Sequence, residues 1–101
     1  MVDDDENIRS ALRRLFGPQG YRVLMAEEGH AALGVIETES IDVLITDMRM
    51  PGMDGSELLR RVTRRWPRMV RILLTGYADL QLTTQAIRDG YVDHFLTKPW
   101  E

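Results

Sequence analysis

Three aspartates, a threonine and a lysine carry the chemistry this sequence could perform. Asp3 and Asp4 are neighbours near its start, Asp47 closes an apolar run, Thr75 closes another, and Lys98 follows a third. Carboxylates gathered at one partly buried place repel each other strongly, and something must compensate. A hard cation with oxygen ligands does so, and Mg²⁺ is the usual choice where phosphate is handled. Such a cation neutralises phosphoryl oxygens and permits in-line attack by a carboxylate, which forms an acyl phosphate. Lys98 would bring a mobile positive charge to another phosphoryl oxygen and Thr75 a hydroxyl donor to a third. Gly76 leaves the approach open.

These residues lie far apart in the chain, so only the fold can bring them together. The runs 41–46 and 71–75 have nearly continuous apolar centres and read as strands buried on both faces. Residues 21–26 read as a further strand and 94–97 as a short one. Between them lie helical periods. Ile8, Ala11, Leu12, Leu15 and Phe16 share a face that Gly17-Pro18 ends. Ala31, Ala32, Val35 and Ile36 form a second stripe. Leu58, Leu59 and Val62 form a third, entered through Asp54-Gly55-Ser56 and closed before Pro67. A fourth helix is expected over roughly 79–89, with Asp79 as N-cap, Ala86 and Ile87 facing inward and Gly90 as the stop. Alternating strands and helices imply an α/β fold: a parallel sheet with helices on both faces, whose ligands sit beyond the carboxyl ends of the strands. Asp47, Thr75 and Lys98 fall at those ends. Asp3 and Asp4 follow Met1-Val2, which reads as the tail of a first strand.

Composition narrows the class. The 101 residues are 44% apolar and 29% charged, the balance of a single soluble domain. No apolar run is long enough to span a bilayer, and an acidic start is neither a secretory signal nor a transit peptide. With no cysteine, disulfides and thiolate metal sites are excluded, and a reducing cytoplasm is the expected location. A net charge of −3 argues against direct nucleic-acid contact. Arg60, Arg61, Arg64, Arg65, Arg68 and Arg71 crowd the middle; a solvated helix face is the preferred reading and a docking patch for an acidic partner the sharper one.

Each candidate also has a plainer reading. The run Asp3–Glu6 could simply favour a helix start through its dipole, Asp47 could cap a strand end, and Thr75 and Lys98 would mean little alone. Their common register favours the site. Asp5 and Glu6 are read as helix-start charges, and Met48, Met50 and Met53 as loop packing. Asp54 and Gly55 are read as turn formers. His30 and His94 belong to no motif and are expected to be exposed. Trp66 and Trp100 are expected to cover apolar surface.

The stretches Val2-Asp3-Asp4-Asp5-Glu6, Thr46-Asp47-Met48-Arg49-Met50-Pro51-Gly52-Met53-Asp54-Gly55, Leu74-Thr75-Gly76-Tyr77 and Thr97-Lys98-Pro99 together resemble the receiver domain of two-component response regulators. The resemblance covers essentially the whole chain. It implies a flavodoxin-like, doubly wound parallel five-stranded sheet in the order 2-1-3-4-5. It assigns Asp47 as phosphoacceptor, and Asp3, Asp4, Asp47 and the backbone carbonyl of Arg49 to Mg²⁺ (or Mn²⁺). Thr75 and Phe95 match the switch positions and Lys98 the phosphoryl-binding lysine. The side chains of Arg49 and Tyr77 match positions that tune phosphoryl lifetime. The Lys98–Pro99 bond matches one that is usually cis in the family.

Two departures stand out. Met1-Val2 are short for a first strand, and the sequence stops where a fifth helix should begin; residues 1–101 are therefore expected to be one receiver domain cut from a longer protein. The implied partners are a histidine kinase or phosphotransfer protein and an output domain, with a homodimer on phosphorylation and no membrane contact. The face made by the fourth helix and fifth strand would be the one that responds. Such a domain is a switch, limited to self-phosphorylation from phosphodonors and slow self-dephosphorylation. Two other classes compete. A metal-dependent aspartyl-phosphate phosphatase or phosphotransferase often has a second acid two residues after the nucleophile, where this sequence has Arg49. A dimerisation module that has lost phosphorylation would lack the acceptor or the lysine. A calcium loop is disfavoured because its ligand spacing and glycine are absent.

Overall fold

A computed structural model describes Arg14 and residues 20–50, 52–76 and 79–97. In chain order these residues form β1 (Val23–Ala26), α1 (Gly29–Thr38), β2 (Val43–Asp47), α2 (Gly55–Arg65), β3 (Val70–Thr75), α3 (Leu80–Arg88) and β4 (His94–Thr97). The expected Met1-Val2 strand, the helix around Ile8–Phe16 apart from Arg14, and the Lys98–Pro99 bond lie outside the described residues.

The strands form one all-parallel sheet in the order β1-β2-β3-β4. Side chains alternate between its two faces. Leu44 and Leu73 point to the face where all three described helices pack, meeting Ala32 and Ile36 of α1, Leu58, Leu59 and Val62 of α2, and Ala86 of α3. Val43, Ile45, Ile72 and Leu74 point to the other face and are also buried, flanked by Val23, Met25, Val70 and Leu96. The centre of β2 is thus closed on both sides, which is why its sequence runs apolar without alternation. β4 is largely exposed and β1 half-buried.

The α/β parallel-sheet class is as expected, and among the described residues one pairing differs from the expected order. A strand was expected between residues 21–26 and 41–46. Instead β1 is hydrogen-bonded directly to β2, with Val23 opposite Val43 and Ala26 opposite Thr46. Two facing rows of open N–H and C=O groups bond one another.

The helix ends follow local chemistry. The Glu28 carboxylate caps α1, accepting from the backbone N–H groups of His30 and Ala31 at 2.8 and 2.9 Å. Asp54 caps α2 through the N–H of Glu57 at 2.8 Å. Gly90, at φ +81°, ends α3. Two expectations fail within α3. Asp79 occupies the N-cap position but makes no side-chain cap bond. Ile87, expected inward, is 41% exposed, because Thr83 and Ala86 form the buried stripe three residues apart. In α1, Ala32 and Ile36 are buried while Ala31 is exposed and Val35 half-buried, a narrower stripe than expected.

The arginine cluster resolves mainly as the plainer reading. Arg60 and Arg61 both pair with Glu57, and Arg65 pairs with Glu37 while lying 4.4 Å over the Trp66 ring. Arg71 does not belong on that face. It is buried in β3, donating from Nε to Asp93 Oδ2 at 3.1 Å and from a terminal nitrogen to the Thr63 hydroxyl.

Candidate functional site

Asp47 is the last residue of β2 and half-buried. Immediately after it the chain turns through Met48–Asp54 into α2. Met48 and Met53 sink into the core and Met50 packs against it, as expected of loop packing. Met50 also accepts a hydrogen bond at Sδ from the Thr46 hydroxyl, 3.3 Å away. The turn closes where the Gly55 N–H donates to the Met48 carbonyl at 2.7 Å. Here the helix start passes so close to the strand end that a Cβ on Gly55 would lie 2.0 Å from the Asp47 carbonyl oxygen. Only glycine permits that approach. Gly52, at φ +76°, provides the other turn that a side chain would strain.

β3 runs beside β2, with Leu74 the register partner of Asp47. Thr75 is therefore one step beyond, at the same carboxyl edge of the sheet. Asp47 shares its face with Val43 and Ile45, whereas Thr75 shares its face with Leu73, the side covered by α3. The Thr75 hydroxyl is fully buried. It donates to the Gly76 carbonyl at 3.2 Å and accepts from the Thr83 hydroxyl at 2.8 Å. Phe95, opposite Leu73 in β4, points to that same face and is 46% exposed, so it is a surface ring rather than core.

Arg49 extends from the loop after Asp47 to the start of α3. Its guanidinium lies 3.0 Å from Asp79 Oδ1, which also accepts from Nε at 3.2 Å. The arginine is largely exposed and the aspartate buried. This pair explains why Asp79 does not cap its own helix. It also joins the Asp47 loop to the start of α3, while Thr83 joins α3 to Thr75 on β3.

Of the expected site residues, the structure brings Asp47, Arg49 and Thr75 to one edge of the sheet and places Phe95 on the Thr75 face. Asp3, Asp4, Tyr77, Lys98 and Pro99 lie outside the described residues. Among the described residues no group of three His, Cys, Asp or Glu side chains could hold a metal. What they offer is the Asp47 carboxylate beside the backbone of Met48 and Arg49. Those are oxygen donors of the kind a hard divalent cation takes.

Sequence reasoning missed Thr83 and read Asp79 only as a cap. Both left a signal. A threonine at an inward position of a helix must find a partner for its hydroxyl. An arginine beside the candidate acceptor likewise calls for a carboxylate.

The chain matches the response regulator receiver domain family over residues 1–101. It is 38% identical over 101 residues to the DNA-binding transcriptional regulator NtrC of Klebsiella pneumoniae, covering 100% of this chain and 21% of that protein. It is 35% identical over 101 residues to the transcriptional regulatory protein FixJ of Bradyrhizobium diazoefficiens, covering 100% of this chain and 49% of that one. It thus spans about a fifth to a half of the curated relatives named here. Among solved structures it is similar to a response regulator receiver domain protein from Clostridium thermocellum, at 36% identity and a TM-score of 0.69, covering 96% of this chain and 78% of that one. The signal receiver domain of an HD domain-containing protein from Pseudomonas fluorescens is also 36% identical, with a TM-score of 0.71, covering 98% and 73%. Motifs, fold and relatives agree: the chain belongs to the response regulator receiver domains, the phosphorylation-activated switches of two-component signalling.

Proposed function

We propose that Asp47 is the phosphoacceptor of this domain. The observation that carries the reading is the register of β2 and β3, which sets Asp47 and Thr75 one step apart at the carboxyl edge of adjacent parallel strands. A carboxylate oxygen of Asp47 attacks the phosphorus of a phosphohistidine on a partner kinase or phosphotransfer protein. The O–P bond forms, the N–P bond breaks, and its electron pair stays on the imidazole nitrogen, which takes up a proton. Asp3, Asp4, Asp47 and the Arg49 carbonyl would hold Mg²⁺ or Mn²⁺. When bound, the ion neutralises charge on the phosphoryl oxygens.

Lys98 and the Thr75 hydroxyl then follow the new charge, Phe95 moves with them, and α3 and β4 change their population of states. An output domain or partner reads that face, in a homodimer or otherwise. The relatives NtrC and FixJ are transcriptional regulators, and we infer an output of that kind for the full protein, which the cysteine-free composition suits to a reducing cytoplasm. Self-phosphorylation from small phosphodonors and slow hydrolysis are the chemistry we assign to the domain itself. Tyr77 and Arg49 would tune that hydrolysis, and the Lys98–Pro99 bond would be cis.

Intact mass after incubation with Mg²⁺ and acetyl phosphate tests the reading. The protein should gain one phosphoryl group, and neither Asp47→Asn nor metal-free protein should. Labelling that persists at an equal rate in folded Asp47→Asn would sink the assignment. Turnover of a phosphomonoester well beyond one equivalent would favour a phosphatase instead.

A further inference from the structure

Most threonine hydroxyls on the described helices have an ordinary fate: they bond a carbonyl of their own helix. Thr38 donates to Gly34 at 3.3 Å, Thr63 to Leu59 at 2.7 Å and Thr84 to Leu80 at 2.9 Å. Thr83 differs from its neighbour. Its hydroxyl leaves the helix and donates across to Thr75 at 2.8 Å, with both residues buried. The Thr75 hydroxyl has one proton, already given to the Gly76 carbonyl. In this arrangement its single donor and one of its two acceptor lone pairs are used. Offering its proton to a phosphoryl group on Asp47 means giving up the Gly76 carbonyl, and because Thr75 and Asp47 point to opposite faces of the sheet it also means turning away from Thr83, the partner supplied by another element.

We propose that Thr83 is a positioning residue of the switch. Its hydroxyl holds the Thr75 hydroxyl against α3 and so sets how readily Thr75 turns to a phosphorylated Asp47. The inference rests on the reading of Asp47 as acceptor. It adds a residue of α3 whose own hydrogen bond must be remade when the switch is thrown, so the state of Thr75 and the seating of α3 are linked by one contact. Because the bond is made only while Thr75 faces α3, removing it should favour the phosphorylated arrangement. Its loss also leaves a buried hydroxyl with a poorer set of partners in the resting state.

Thr83→Val keeps the shape and removes the hydroxyl; Thr83→Ser keeps the hydroxyl. Two readouts apply to each, on protein shown by thermal melting to be folded. The first is the Thr75 χ1 rotamer, from three-bond couplings to its methyl carbon in metal-free, unphosphorylated protein. The second is the dissociation constant for beryllofluoride, a phosphoryl mimic, with Mg²⁺. Valine should average the rotamer and tighten beryllofluoride binding about three- to tenfold, the worth of one net hydrogen bond. Serine should match wild type in both. Valine that leaves rotamer and affinity unchanged overturns the proposal, and so does serine that behaves as valine. If valine does not melt cooperatively, Thr83→Ala carries the same comparison. Wild-type protein that takes no beryllofluoride overturns the acceptor reading and the switching role with it. The rotamer comparison then still decides separately whether Thr83 holds Thr75.

Discussion

Asp79 and Gly55 show how much a single residue near Asp47 can decide. Asp79 spends its carboxylate on Arg49 rather than on its own helix. Asp79→Asn removes the charge while keeping the size, and it should release Arg49 to reach a phosphoryl group on Asp47 and shield it from water. Slower decay of the phosphorylated mass is the expected outcome; an unchanged decay would mean that Arg49 acts independently of Asp79. Gly55 has no such freedom. Gly55→Ala sets a methyl 2.0 Å from the Asp47 carbonyl oxygen, so helix or strand end must move. Overpacking of this kind costs roughly 2–3 kcal/mol. Urea unfolding should show that loss, and labelling by acetyl phosphate should slow along with it.

Arg71 acts between elements. From β3 it reaches Asp93, just ahead of β4, and Thr63 on α2, so one side chain joins three pieces of structure at the end of the sheet away from Asp47. Its backbone N–H also donates to Asp93 Oδ2 at 2.8 Å. Arg71→Met fills the space but leaves Asp93 and Thr63 without their charged partner, and it should cost about 2–3 kcal/mol by chemical denaturation, near the low end for a broken buried pair because Asp93 is partly exposed. A loss under 0.5 kcal/mol, the ordinary range for an exposed position, would show that the bracing is not needed. Phosphoryl labelling should survive, since the site lies at the other end of the strands.

Over the whole molecule, acid should weaken the fold partly through two carboxylates. The backbone N–H groups of His30 and Ala31 hold the Glu28 carboxyl below its usual range, and Arg61 followed by Arg60 does the same for Glu57. A carboxyl whose value is lowered by folding contributes stability that is fully present above the unfolded value and is lost as pH falls through the folded one. Stability should therefore drop as pH falls through and below the ordinary glutamate range. Glu28→Gln combined with Glu57→Gln should flatten that slope in melting curves taken across the range. An unchanged slope would place the acid sensitivity elsewhere.

Sequence alone determined what depends on residue type and local spacing. The buried strand read over 41–46, the helix entered through Asp54-Gly55-Ser56, the Gly90 stop and the gathering of Asp47 and Thr75 at one sheet edge all follow from apolar runs, turn formers and the alternation of strand and helix. Tertiary structure decided what depends on which partner is within reach. The direct pairing of β1 with β2 arises because open ladder groups bond whatever strand faces them. Thr83 displaced Ile87 from the inward stripe because a hydroxyl on β3 could satisfy its own. Arg71 was grouped with solvated arginines because nothing local marks a guanidinium that will meet Asp93 and Thr63 across the fold. Asp79 read as a cap because its better partner, Arg49, lies thirty residues away. Hydrogen bonds and ion pairs between elements depend on distances that no local pattern encodes, so the receiver family was legible before the contacts that surround Asp47.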